Sequence, residues 1–325
     1  FETVMMASFY AGFLYFYLRY RQEQPKHLYP ALIFGALAFY TYSPGQVIVV
    51  VTGLMLLITD ARYHWRHRKA AALGAFLLIL LSLPYLRFHL THPGATRQHL
   101  ELLNAYWVRS IPLYEKLLIY VSTYIKGLNP LYWFWPNPSL MERLWPGLRL
   151  PTGLFSNQHD LIRHTMKGYG HILLITFPFW VVGLVKSIKK FKEPPYRTLL
   201  LATLAAPSGA ALVDWGITRG MVLIIPTILI TGIGYEVCFD WVQSKCHQLR
   251  YGHIAWSAFL ILTLFSFGML ADALVNGPTW YDDYGLYGLQ YGGSQVFTRA
   301  AQIARADPQT TVLVSSTWAN DPNIL

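Results

Sequence analysis

The densest set of polar and ionisable side chains is Asn157, His159, Asp160, Arg163, His164, Lys167, Tyr169 and His171, immediately ahead of an apolar run. Within Gln158-His159-Asp160-Leu161-Ile162-Arg163-His164, one helical turn stacks Asp160 on His164 and His159 on Arg163, gathering a carboxylate, imidazoles and a guanidinium into one patch. Such a patch suits a phosphate. Arg163 offers a planar fork to phosphate oxygens and Lys167 adds a point charge. Asp160 with His164 can hold a divalent metal ion or orient a proton donor. No H-E-x-x-H or comparably tight ligand spacing is present, so a divalent metal rests on those two residues alone and the sequence points to no other cofactor. The alternative is a set of solvated or helix-capping residues on an interfacial helix.

Three other places invite the same question. Arg219 follows Asp214-Trp215-Gly216 and can reach an anionic lipid head, or it can snorkel to the interface or pair with Asp214. Tyr132-Trp133-Phe134-Trp135 reads as an aromatic cluster at head-group level, and Tyr132 and Trp133 can also line a substrate site by stacking. Tyr281-Asp282-Asp283-Tyr284 looks like an acidic metal motif but has no phosphate-binding context and reads as structural. Gly285, Gly288, Gly292 and Gly293 lack the strand-turn-helix setting of a dinucleotide loop.

The elements that must position these residues are membrane helices. Of the 325 residues 54% are hydrophobic and only 13% charged, too apolar for an ordinary water-soluble surface. Two cysteines, Cys238 and Cys246, cannot staple so long a chain. The net charge of +10 fits basic loops beside apolar spans and anionic head groups, so no nucleic acid is invoked. Apolar runs at 3–18, 29–43, 46–59, 70–86, 171–185, 198–213, 220–238 and 254–271 predict about eight transmembrane helices in an all-α polytopic protein. The second and third are short, and Ser43-Pro44-Gly45 between them is a turn signal for a shallow hairpin.

Basic residues fall on alternate connections: Arg19, Arg21 and Lys26; Arg62, Arg66, Arg68 and Lys69; Lys186 to Arg197; Lys245 and Arg250. That side is assigned to the cytoplasm, leaving the segment 88–169, the turn 214–219 and the tail after Asp272 outside, with both cysteines on the reducing side. The resulting organisation is 1–87 with four transmembrane helices, 88–169 external with interfacial helices, 170–273 with four more, and 274–325 as the start of an external α/β domain. In the external segment Leu100, Leu103 and Trp107, then Leu113, Leu117, Val121 and Tyr124, recur at helical spacing and predict two amphipathic interfacial helices. Gln295–Ala304 reads as a helix and Thr310–Ser315 as a strand. The start at Phe1, with neither an initiator Met nor a basic leader, reads as a piece of a longer protein.

The order of features resembles the polytopic GT-C glycosyltransferases, in particular the family 39 or protein-mannosyltransferase-like group that includes aminoarabinose transferases. The likeness rests on Tyr40-Thr41-Tyr42-Ser43-Pro44, a span ending in Pro84, the long external segment, Arg163-His164-Thr165-Met166-Lys167-Gly168-Tyr169-Gly170-His171 leading into Phe177-Pro178-Phe179, Ala206-Pro207, Arg219 followed by Pro226, and Tyr284 to Gly292. It implies transfer of a sugar from a polyprenyl-phosphate carrier to a lipid, glycan or protein acceptor on the outer face of a bacterial plasma membrane. It also implies a catalytic carboxylate on an external loop preceding Phe1, and a donor phosphate held by Arg163, His164, Lys167 and Arg219. Asn157, His159, Asp160, Tyr169, Tyr132 and Trp133 would then line the site. A secondary transporter or lipid flippase, and a non-catalytic membrane scaffold, are the alternatives; a transporter should carry ionisable groups at mid-membrane, which the span centres lack.

Overall fold

The computed structural model describes residues 2–135, 169–246, 251–276, 293–307 and 309–312. Among them every regular element is helical. Helix α1 (Glu2–Gln22) opens on an acid and closes on Arg19 and Arg21, as the helix dipole favours. After a 3-10 turn at Pro25–His27 come α2 (Leu28–Thr41) and α3 (Ser43–Thr59). The break between them is Tyr42 alone, held extended at φ −153°. Ser43-Pro44-Gly45, expected as the turn, instead forms the first turn of α3, where a proline has no helical N–H to lose. Then follow α4 (Ala61–Arg66), α5 (Arg68–Thr91), α6 (Ala95–Leu102), α7 (Leu113–Leu128) and α8 (Pro130–Phe134). Further along the chain lie α9 (Phe177–Lys189), α10 (Pro194–Ala205), α11 (Pro207–Ala210), α12 (Ile217–Gly220), α13 (Ile224–Lys245), α14 (Tyr251–Asn276) and α15 (Gly293–Ala306).

Among the described residues three helical runs, Arg68–Thr91, Ile217–Lys245 and Tyr251–Asp272, are long and apolar enough to cross a membrane, which makes this a helical membrane protein. Ser43–Thr59 is apolar but shorter. The other apolar runs do coincide with helices, yet α2 has 14 residues, α9 13 and α10 12, each short of a full crossing.

The chain divides into two compact units. The first comprises residues up to Phe134 and Ile172–Ile254. Its core is the inward face of α1, where Met6, Tyr10, Phe13, Leu14 and Tyr17 are buried and the Tyr10 hydroxyl meets Thr52 Oγ1 of α3 at 2.8 Å. Helices α9 and α13 touch backbone to backbone: a Cβ on Gly183 would come within 1.8 Å of the Ile230 carbonyl oxygen, and one on Gly234 within 1.8 Å of that of Phe179. Small residues permit this approach, as in other helix pairs packed in lipid. The second unit comprises Trp135–His171 and Ala255–Leu325. The helix expected at Gln295–Ala304 is present there as α15. Thr310–Val312 are not in a strand, and the remainder of the expected strand, 313–315, lies outside the described residues.

Helix α3, 17 residues or about 25 Å long, marks the two ends of the first unit. At its close Asp60 meets Arg21 and Arg197. At its start the Pro44 backbone lies against Gly209 of α11, and Ser43 Oγ is 3.4 Å from His99 Nε2. The basic connections therefore gather at one end, and α6, α7 and α11 at the other. Of the two expected interfacial helices, α7 is present with Leu113, Leu117 and Val121 exposed, whereas Tyr124 turns inward and donates to the Leu204 carbonyl at 2.6 Å. The other is α6 followed by a separate 3-10 turn, Tyr106–Val108, which carries Trp107.

Candidate functional site

The end of the first unit opposite the basic connections is organised around Trp215. Its indole lies between two glycines: a Cβ on Gly127 would approach the ring to 2.3 Å and one on Gly220 to 2.4 Å. Tyr132 and Trp133 meet the same ring edge-on, at centroid distances of 5.6 and 6.0 Å. The Trp133 indole N–H donates to the Gly127 carbonyl at 2.8 Å, which closes the cluster. Tyr106 donates to the Ala211 carbonyl at the end of α11 at 2.5 Å. Burial pushes that phenol up to about 12, so it remains a neutral donor.

Tyr132 and Trp133, expected to line a substrate site, are thus interior residues, 3% and 2% exposed. They pack against Trp215, which Gly220 next to Arg219 also touches, rather than forming an open stacking surface. Arg219 itself is partly exposed, and one of its N–H groups donates to the Asp214 carbonyl at 3.2 Å. The Asp214 carboxylate caps the Trp215 N–H at 2.8 Å instead of pairing with the guanidinium. This corner brings together three of the expected residues, Tyr132, Trp133 and Arg219. It can offer a cation to an anionic group at the bundle end.

Tyr169 belongs to the second unit, where it hydrogen-bonds the carboxylate of Asp272. Burial, and then that neighbouring carboxylate, raise the Tyr169 phenol above its ordinary range. Asn157, His159, Asp160, Arg163, His164 and Lys167 lie outside the described residues. Among the described residues no group of three or more His, Cys, Asp or Glu side chains is placed to hold a metal ion.

The sequence reading missed a second polar centre at the opposite end. Asp60, with 1% of its side chain exposed, pairs through Oδ2 with Arg21 Nε at 2.8 Å and through Oδ1 with Arg197 Nη2. The Tyr17 hydroxyl donates to Oδ2 at 2.6 Å, and the Arg21 guanidinium lies 3.7 Å from the Tyr63 ring centre. Arg197 also donates to the Lys192 carbonyl at 2.9 Å. Asp60 is the only acid between Glu23 and Glu101, set against seven Lys and Arg in the same stretch, and that isolation was the available signal. With both oxygens occupied, the carboxylate clasps α1, α3 and α10 and has little capacity left for a substrate. No protein-family model, curated protein or solved structure matches this chain.

Proposed function

We propose that the chain is the membrane body of a glycosyltransferase that moves a sugar from a polyprenyl-phosphate carrier to a lipid, glycan or protein acceptor on the outer side of the membrane. The reading is carried by the separation of the bundle ends, with the cationic connections and Asp60 at one and Arg219 beside the Trp215 cluster at the other. Cationic connections favour the cytoplasm, so Arg219 faces outward. The motif order from Tyr40 to Gly292 that resembles family 39 supplies the reaction class.

In this reading the acceptor oxygen forms a bond to the anomeric carbon as the sugar–phosphate C–O bond breaks, and the bonding electron pair leaves with the carrier phosphate. A carboxylate takes the acceptor proton. Arg163, His164 and Lys167 stabilise the charge that builds on the leaving phosphate, while Asn157, His159, Asp160 and Tyr169 border the sugar. Fixed donors aimed at developing charge lower the barrier most in a site closed to water. The test is sugar transfer from labelled polyprenyl-phosphate donors by membranes carrying the full-length protein. Arg163→Ala and His164→Ala should each lower transfer by about 100-fold, comparable to losing one transition-state donor, with unchanged insertion. Wild-type transfer in both variants would remove that stretch from the site.

A second reading, a secondary transporter or lipid flippase, draws on the buried Asp60 cluster, since ionisable groups within a bundle mark transport paths. It predicts counterflow of substrate across sealed vesicles carrying the full-length protein. Sugar transfer without such flux decides for the enzyme.

A further inference from the structure

Helix α5 stands off from the rest of the first unit. Its one buried residue is Gly74, where a Cβ would come within 2.8 Å of Leu28 on α2. Beside that contact, between α5 and the faces of α1, α2 and α3, runs an apolar groove of about 470 Å³ whose walls include Phe13, Leu28, Gly53, Leu57 and Leu78. It follows α5 from Ala71 to Tyr85, a rise of about 21 Å. Leu54, Leu57 and Leu78 are 52%, 53% and 52% exposed, so the groove opens sideways towards lipid. Its far end is closed by Tyr40, whose hydroxyl donates to the Leu81 carbonyl at 2.7 Å and accepts from the Tyr85 N–H at 3.2 Å. The hydroxyl thereby enters the helix ladder beside Pro84.

The near end is polar and positive. His64 lines the groove and also an adjoining cavity of about 470 Å³ that includes Trp65, Arg68 and Ala71. Its Nδ1 lies 2.9 Å from the Tyr20 hydroxyl, and Nε2 is buried. The connection supplies Arg62, Arg66, Arg68 and Lys69 with no acid from Ala61 to Ala71, and none of the four pairs with an acid among the described residues. Asp60 next door is already saturated by two arginines and a tyrosine. Trp65, 77% exposed, has the character of a head-group anchor.

We propose that this groove binds one anionic phospholipid of the bilayer, an acyl chain lying along α5 and the head-group phosphate held at Arg68 and His64. The length and lateral opening fit a chain that enters from lipid, and the uncompensated cations select an anionic head over a zwitterionic one. The inference rests on membrane embedding and is independent of sugar transfer, because the groove's polar end lies opposite Arg219.

The test uses the full chain in nanodiscs of equal phosphatidylglycerol and phosphatidylcholine, extracted into mild detergent and weighed by native mass spectrometry. One phosphatidylglycerol should be retained in preference to phosphatidylcholine. Arg68→Gln, on an exposed side chain, should cut that preference by about fivefold, the effect of one basic residue near an anionic surface. Gly53→Leu should expel the lipid without unsettling the bundle, since nothing lies within 4 Å of the added Cβ. Equal retention of both lipids that neither variant alters would overturn the proposal. So would decaprenyl phosphate, added in competition, displacing phosphatidylglycerol in a manner Gly53→Leu blocks, which would assign the groove to a prenyl chain.

Discussion

At the scale of single residues, Asp60 is the group whose loss costs the fold most. It offsets two guanidinium groups, on Arg21 and Arg197, whose side chains are only 10% and 11% exposed. Removing one partner of a buried ion pair leaves an uncompensated charge, so Asp60→Asn should lower stability by about 3–5 kcal/mol, read as a drop in melting temperature in detergent. A melt indistinguishable from wild type would mean that the cluster does not hold α1, α3 and α10 together. The neighbouring His64 adds a pH dependence. Burial lowers its imidazole below the ordinary value, against the opposing pull of Asp60. The folded state therefore binds this proton less readily than the unfolded chain, so the contribution is complete above about pH 6.5 and is lost as pH falls towards the lowered folded value. Melting curves of wild type and His64→Gln should converge on acidification, and a constant gap from pH 7.5 to 5 would exclude the effect. The cationic members of this centre were legible in the sequence as basic connections. Their pairing was not, because Asp60 and Arg197 are 137 positions apart and only the packing of α3 against α10 joins them.

At the scale of elements, sequence periodicity located the helices well and their partners poorly. Apolar runs at 29–43 and 46–59 became α2 and α3, but a run of that length marks a buried helix as readily as a lipid-facing one, so it does not by itself establish a crossing. The contact between α9 and α13 shows what the pattern did not carry. Gly183 and Gly234 are unremarkable in composition, yet each is the point where one backbone meets the other. Gly183→Leu must separate the two helices and, as an overpacked backbone contact, should cost about 3 kcal/mol. Gly232→Ala, two residues from Gly234 with nothing within 4 Å of its Cβ, should leave stability unchanged or slightly raised. Equal melting of both variants would deny the backbone contact. The Tyr132-Trp133 pair was legible as an aromatic cluster, but its burial depends on Trp215 arriving from a hairpin some eighty residues away.

At the scale of the whole molecule, the decisive property is which bundle end faces which compartment, because the proposed reaction at the outer surface requires Arg219 and α7 to face out. The chain carries its own reporter: Cys246, exposed and unpaired, follows Lys245 at the end of α13. It lies beyond Glu236, which pairs with Lys186 at 2.8 Å on the side of the basic connections. Cys238 is only partly exposed and lies within the span Ile217–Lys245, so labelling at the exposed Cys246 should be the faster. A membrane-impermeant maleimide added to intact spheroplasts should therefore leave Cys246 unlabelled until the membrane is opened. In a Cys246→Ser background, Ser122→Cys on the exposed face of α7 should react without permeabilisation. The reverse pattern would put α7 and Arg219 inside, where the proposed transfer to an external acceptor has no site to proceed from. It would also carry the groove along α5 with it, placing the Arg68 end in the outer leaflet, so one pair of labelling reactions orients both sites.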